Sequence, residues 1–195
     1  MKILERFYIT IEVVFWHSSW LGKSHQNKKT NPEYYMKVMK LLEQFLEKST
    51  LVGNENRLVK TLDFQNDFKR EDYEYIHMPS LNLSLDKQTG EAGIGRALIE
   101  ADYAIGETGS VVIDSCNENL RLASCLAEKL DVILPLSKLV ESMHDVTDFL
   151  EERTSGSGGY VAFITGASRT ADIERVLTVG VHGPKEMTVI ILNDL

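Results

Sequence analysis

From Asn31 onward the chain alternates between two hydrophobic rhythms. Apolar positions at helical spacing mark amphipathic helices, and short continuous apolar runs bounded by glycine, proline or polar residues mark buried strands. After Asn31-Pro32, residues Val38, Leu41, Leu42, Phe45 and Leu46 fall on one helical face. Asn31 suits the N-cap, Pro32 the first turn, and Glu33 the positive end of the dipole. Gly53 ends this helix or opens the loop after it. Residues 54–90 are charged and irregular, with small apolar clusters near 58–62 and 73–78 and a turn over 86–90. Gly93-Ile94-Gly95 predicts the start of a helix over residues 94–100. Tyr103–Ile105 and Val111–Ile113 predict two buried strands, or one bent strand, around a polar break. Helices are then predicted over residues 117–129 and, capped by Ser137, over 138–152, with an apolar strand over 132–136 between them. Residues 155–159 (SGSGG) form a loop, 160–165 a strand, 170–177 a helix, 180–184 a turn and 187–192 a final strand. Apolar strands alternating with amphipathic helices imply an α/β protein whose mostly parallel sheet is covered on both sides.

Composition narrows the class. A chain of 195 residues makes one domain, or a domain with an extension, and its pattern divides it into an N-terminal extension at 1–30 and an α/β domain at 31–195. Within the extension, residues 8–15 have strand propensity and 17–30 are polar and locally basic. The net charge of −8, without a long basic run, argues against nucleic acid as a partner. The best membrane candidate, residues 7–16, is too short and contains Glu12, so no membrane span is expected. The two cysteines, Cys116 and Cys125, have the wrong spacing for metal or cluster ligation. They are expected to be buried thiols of a cytoplasmic protein, with no metal bound.

Two polar stretches concentrate the useful chemistry. Gly106-Glu107-Thr108-Gly109-Ser110 offers a carboxylate, two hydroxyls and glycines that let backbone N–H groups approach a ligand. At the carboxyl end of a strand, these residues form a ligand site; the alternative is a polar hairpin turn. Thr165-Gly166-Ala167-Ser168-Arg169-Thr170 lies between a predicted strand and a predicted helix N-terminus, where an anion is favoured. Arg169 would clamp a carboxylate or phosphate, whereas Ser168 or Thr170 could simply cap the helix. Asp172 and Glu174 already put negative charge in that first turn. His182, between glycines, is a candidate general base or a turn residue. The lone GxG at 93–95 lacks the further glycine of a dinucleotide fingerprint.

ADYAIGETGSVVI, followed by YVAFITGASRTADIERVLTVGVHGPKEMTVIIL, closely resembles the lactate utilisation protein C family, the LUD domain. The resemblance spans residues 93–192, with Ala167 where the family often has proline and a departure over 117–130; residues 1–90 show no match. It implies the ribose-phosphate isomerase/CoA-transferase-like fold, a three-layer α/β/α architecture. It also implies a part in oxidising L-lactate to pyruvate beside iron–sulfur partner subunits, since this chain lacks the cysteines that clusters need. On this reading Glu107 and His182 are the catalytic candidates, and Gly106, Thr108, Gly109, Ser110, Ser168, Arg169 and Thr170 bind a small carboxylate or phosphate-like anion. A second reading is a stand-alone enzyme of the wider fold, because Glu107-Thr108-Gly109 resembles the Glu-x-Gly of CoA transferases, where the carboxylate is the nucleophile.

Overall fold

A computed structural model describes residues 32–87, 93–155, 159–171, 177–179 and 183–194. The chain divides into two compact units, residues 1–40 and 41–195. The proposed strand over 8–15 and the basic stretch after it lie outside the described residues.

Helix α1 (Pro32–Leu51) begins at the proline and buries Leu42, Phe45 and Ser49. Gly53 follows with φ +89, a left-handed turn that glycine adopts without strain. The irregular stretch after it is ordered secondary structure: strand β1 (Glu55–Val59), helix α2 (Thr61–Asp67), β2 (Tyr75–Met78) and β3 (Leu83–Asp86). These elements are short, and β1 and β3 hold only half-buried and exposed positions, so they leave little apolar signal.

Six strands form the main sheet in the order β1-β12-β7-β4-β2-β3, with β4 spanning Ile94–Glu100, β7 Ala127–Pro135 and β12 Glu186–Leu192. All neighbours are parallel except β2 and β3. The helix expected over 94–100 is therefore a strand. Ala97, Leu98 and Ile99 are each wholly buried, because β4 sits between β2 and β7 and both its faces are covered. A run apolar on every side carries no period by which strand and helix can be told apart. On one face Phe64 of α2 joins Tyr73, Ile76, Leu98, Ile133, Ile190 and Leu192 in a single cluster. On the other, Ile99, Val132, Leu134, Val189 and Ile191 are equally buried. Helix α3 (Glu118–Leu126), capped by the Asn117 side chain, packs against β4 and β7. It stops before residue 129, where β7 has already begun.

A second, smaller sheet has the order β8-β5-β6-β9, formed by Leu139–Val140, Tyr103–Ile105, Ser110–Asp114 and Val161–Ile164. Only β5 and β8 are parallel in it. Its apolar side gathers Ile105, Val112 and Val146 with Phe149 and Leu150. The predicted helix over 138–152 is accordingly split. Val140 pairs with Ile105 in β8, and helical structure resumes only at 143. Ser142 and Asp145 form a reciprocal capping box there, so Ser142 rather than Ser137 starts the helical segment leading into α4 (Thr147–Thr154).

The helix expected over 170–177 is also replaced. Arg169–Ala171 (β10) pairs antiparallel with Leu177–Val179 (β11), a two-stranded ribbon rich in β-branched residues. Residues 172–176, including Asp172 and Glu174, lie outside the described residues.

Candidate functional site

The Gly106–Gly109 segment is the turn of a hairpin, closing β5 onto β6 where Ile105 pairs with Ser110. It does not lie at the carboxyl edge of the parallel sheet. Gly109 has φ +70, and a Cβ there would sit 2.6 Å from the Ser49 backbone nitrogen. Gly106 leaves equally little room, with Leu41 Cδ1 2.5 Å from where its Cβ would be. Both glycines thus serve close packing against α1 rather than approach to a ligand.

Four backbone donors of this turn are already engaged. Gly106 N–H donates to the Val140 carbonyl at 2.8 Å and Glu107 N–H to that of Glu141 at 3.1 Å. Gly109 N–H donates to Ile105, and Ser110 N–H to Thr108 Oγ1. Glu107 is exposed, and its Oε1 accepts the Met143 N–H at 3.0 Å; the residue lines none of the cavities described below. Thr108 is exposed beside it.

The two motifs do meet, through residues that lock them together. Ser110 Oγ and Thr165 Oγ1 are 2.8 Å apart, and Asn54 Nδ2 donates to the Thr165 carbonyl and to Ser49 Oγ. A Cβ on Gly166 would sit 2.9 Å from Asn54 Oδ1, so this glycine admits the buried amide. Ser168 is half-buried, and its N–H donates to the Pro184 carbonyl at 2.7 Å, beside Gly183. Arg169 and Thr170 enter β10, so no helix N-terminus stands there to attract an anion. Their side chains lie outside the described residues, as does the whole of His182.

The carboxyl ends of β2, β4 and β7 surround a cavity of about 380 Å³. Open α/β sheets bind ligands in this position. Its lining includes His77 of β2, Glu100 and Asp102 at the end of β4, Lys138 after β7, Asp114 at the end of β6, and Cys116 beyond it. Burial holds the Asp102 carboxyl above its usual value, although its bond from the Asp114 N–H (2.7 Å to Oδ2) and the charges of Lys138 and Arg153 pull the other way. Asp114 is also pushed up by desolvation, but hydrogen bonds from Cys116 and the nearby Arg153 outweigh this and leave its carboxyl below the usual range. Lys138 Nζ lies 5.3 Å from the centre of the Tyr103 ring and makes no ion pair among the described residues. The sequence signal for this site was faint: an Ala-Asp pair after an apolar run, and a lysine after Pro135. Both cysteines are exposed, not buried as expected, because Cys116 follows the end of β6 and Cys125 lies on the outer side of α3. Among the described residues no three His, Cys, Asp or Glu side chains are grouped to hold a metal ion.

A doubly covered, mostly parallel sheet with a cavity at its carboxyl edge defines an open α/β protein. The chain belongs to the LUD domain family, whose model matches residues 33–192. The family match thus extends well before residue 90, where no resemblance had been legible. The chain is 33% identical over 123 residues to lactate utilization protein C of Geobacillus kaustophilus, covering 62% of this chain and 50% of that protein. It is 37% identical over 113 residues to the protein of the same name from Halalkalibacterium halodurans, covering 56% and 48%. The chain therefore spans about half the length of these curated relatives. A solved DUF162 family protein from Deinococcus radiodurans shares the fold, with a TM-score of 0.58 and 16% identity over 80% of this chain and 98% of that one.

Proposed function

We propose that this LUD-domain chain serves in lactate utilisation, binding a small 2-hydroxy- or 2-oxo-carboxylate in the cavity beyond β2, β4 and β7. The observation that carries this reading is Lys138, a lysine without an ion pair among the described residues, at the rim of a cavity that also contains a partly buried carboxyl group. The ammonium group pairs with the ligand carboxylate. Asp102, its pKa raised, stands ready to exchange a hydrogen bond with the 2-hydroxyl or 2-oxo oxygen. On this reading the electrons of lactate oxidation pass to iron–sulfur partner proteins, the two cysteines of this chain being fewer than the four thiolates a cluster takes. The names of the relatives support the pathway, and a cytoplasmic compartment is part of the proposal.

Thermal melting tests the reading with L-lactate, pyruvate and acetate. A ligand at ~100 times its dissociation constant stabilises by about 2.7 kcal/mol, which raises Tm by several degrees in a chain of this size. Lactate or pyruvate should give such a shift in the wild type and none in Lys138→Gln, whose exposed side chain is not needed for folding. A deletion strain complemented with Lys138→Gln should grow poorly on lactate. Equal shifts in both proteins, or none with any of the three acids, overturn the proposal.

A further inference from the structure

A second cavity, of about 220 Å³, lies between α2 with the loop that follows it and the sheet residues Arg57, Val59, Arg96 and Ile190. Beneath it is a costly arrangement. Asp131, 3% exposed in mid-β7, has three donors on a single oxygen, Oδ2. These are Tyr73 Oη at 2.7 Å, Arg96 Nε at 3.0 Å and Arg96 Nη2 at 2.7 Å. The Arg96 guanidinium also lies over the Tyr73 ring, 4.9 Å from its centre. Burying a carboxylate in the middle of a sheet is a poor way to gain stability, since apolar residues of similar volume do as well or better. The arrangement does fix a guanidinium. With Nε and Nη2 bound, the remaining N–H groups of Arg96 are presented in a set orientation at the cavity wall. Burial and Asp131 hold the Tyr73 hydroxyl well above its ordinary range, so it stays a donor throughout.

The lining specifies the ligand. Phe64 and Phe68, with ring centres 5.5 Å apart, supply an aromatic wall, and Val59 and Ile190 an aliphatic floor. Arg57 and Lys69 join Arg96 at the rim, and neither has an ion pair among the described residues. Asp67 and Asp72 share that rim, and with Asp131 beneath Arg96 three cations face three anions, which disfavours a dianion such as phosphate. The volume is below that of drug-sized sites and suits a single ring.

We infer that this cavity is a second, separate binding site for a single-ring aromatic monocarboxylate, its carboxylate held by Arg96 and Arg57 and its ring by Phe64 and Phe68.

Titration of the full-length chain with benzoate and phenylacetate, followed by calorimetry, tests this. Cyclohexanecarboxylate and inorganic phosphate serve as comparisons. Both aromatic acids should bind at one site, and the other two should bind more weakly. Arg57→Gln, on an exposed side chain, and Arg96→Lys, which keeps a cation against Asp131, should each weaken benzoate about tenfold, the worth of one charge-assisted hydrogen bond. Lys138→Gln should leave benzoate binding unchanged, which separates this site from the one at the carboxyl edge. The inference is overturned if no aromatic acid binds, or if benzoate binds the folded Arg57→Gln and Arg96→Lys proteins as well as wild type. Loss of benzoate in Lys138→Gln would overturn it too, placing the acid in the other cavity.

Discussion

Ser110 Oγ and Thr165 Oγ1 lie 2.8 Å apart, joining residues 55 positions apart in sequence and tying the β5–β6 turn to the end of β9. Ser110 is 5% exposed, so its hydroxyl has little access to water if this partner is lost. Ser110→Ala and Thr165→Val should each cost about 1 kcal/mol, and the double variant little more than either alone. Denaturant unfolding of the four proteins measures the coupling, and additive losses would show that the bond adds nothing.

Two glycines with similar positive φ should respond differently to alanine. Gly93 has φ +79 with nothing within 4 Å of its absent Cβ, and Gly109 has φ +70 with Lys48 and Ser49 backbone atoms 2.6–2.8 Å away. Gly93→Ala should therefore cost only the left-handed strain, about 1–2 kcal/mol. Gly109→Ala adds a clash against helical backbone and should lose about 2–5 kcal/mol in all. Melting curves of the two variants separate the contributions.

Asp102 gives a pH dependence of definite sign. Burial raises its folded pKa above the usual carboxylate value. Stability from this group is then complete below the unfolded pKa and is lost as pH rises through the folded value. Asp102→Asn removes the ionisation yet still offers an oxygen to the Asp114 N–H. The variant should be stabilised relative to wild type at pH 7 by more than at pH 3. A constant difference between the two melting temperatures across that range would contradict the assignment.

Glu107 sits on the surface with one backbone partner, Met143 N–H. Glu107→Gln keeps that acceptor and should change stability by less than about 0.5 kcal/mol. Incubation with an acyl-CoA followed by hydroxylamine should leave Glu107 unmodified by mass spectrometry. A hydroxamate at this position would instead establish the CoA-transferase-like chemistry that Glu107-Thr108-Gly109 suggests.

The sequence by itself determined the class of fold and the elements whose pattern is local. Helix α1 from Pro32, the Asn117 cap of α3, strand β12, and the hairpin turn bracketed by Gly106 and Gly109 can all be read from neighbouring residues. Those signals arise within a few residues, from capping, periodicity and turn chemistry. Tertiary structure decided what depends on partners distant in sequence. It made a strand of Ile94–Glu100, because β2 and β7 pair with both its edges and its two faces are covered. It took Leu139 and Val140 from a predicted helix to pair with Ala104 and Ile105. It set Arg169–Ala171 against Leu177–Val179 in place of a helix N-terminus. It also split the first family motif: Ala101 and Asp102 line the cavity that holds Lys138, whereas Gly106, Gly109 and Ser110 serve close packing and hydrogen bonds between segments. Asp102, Lys138 and His77 come together only where three parallel strands end side by side, and no local pattern of residues encodes that adjacency.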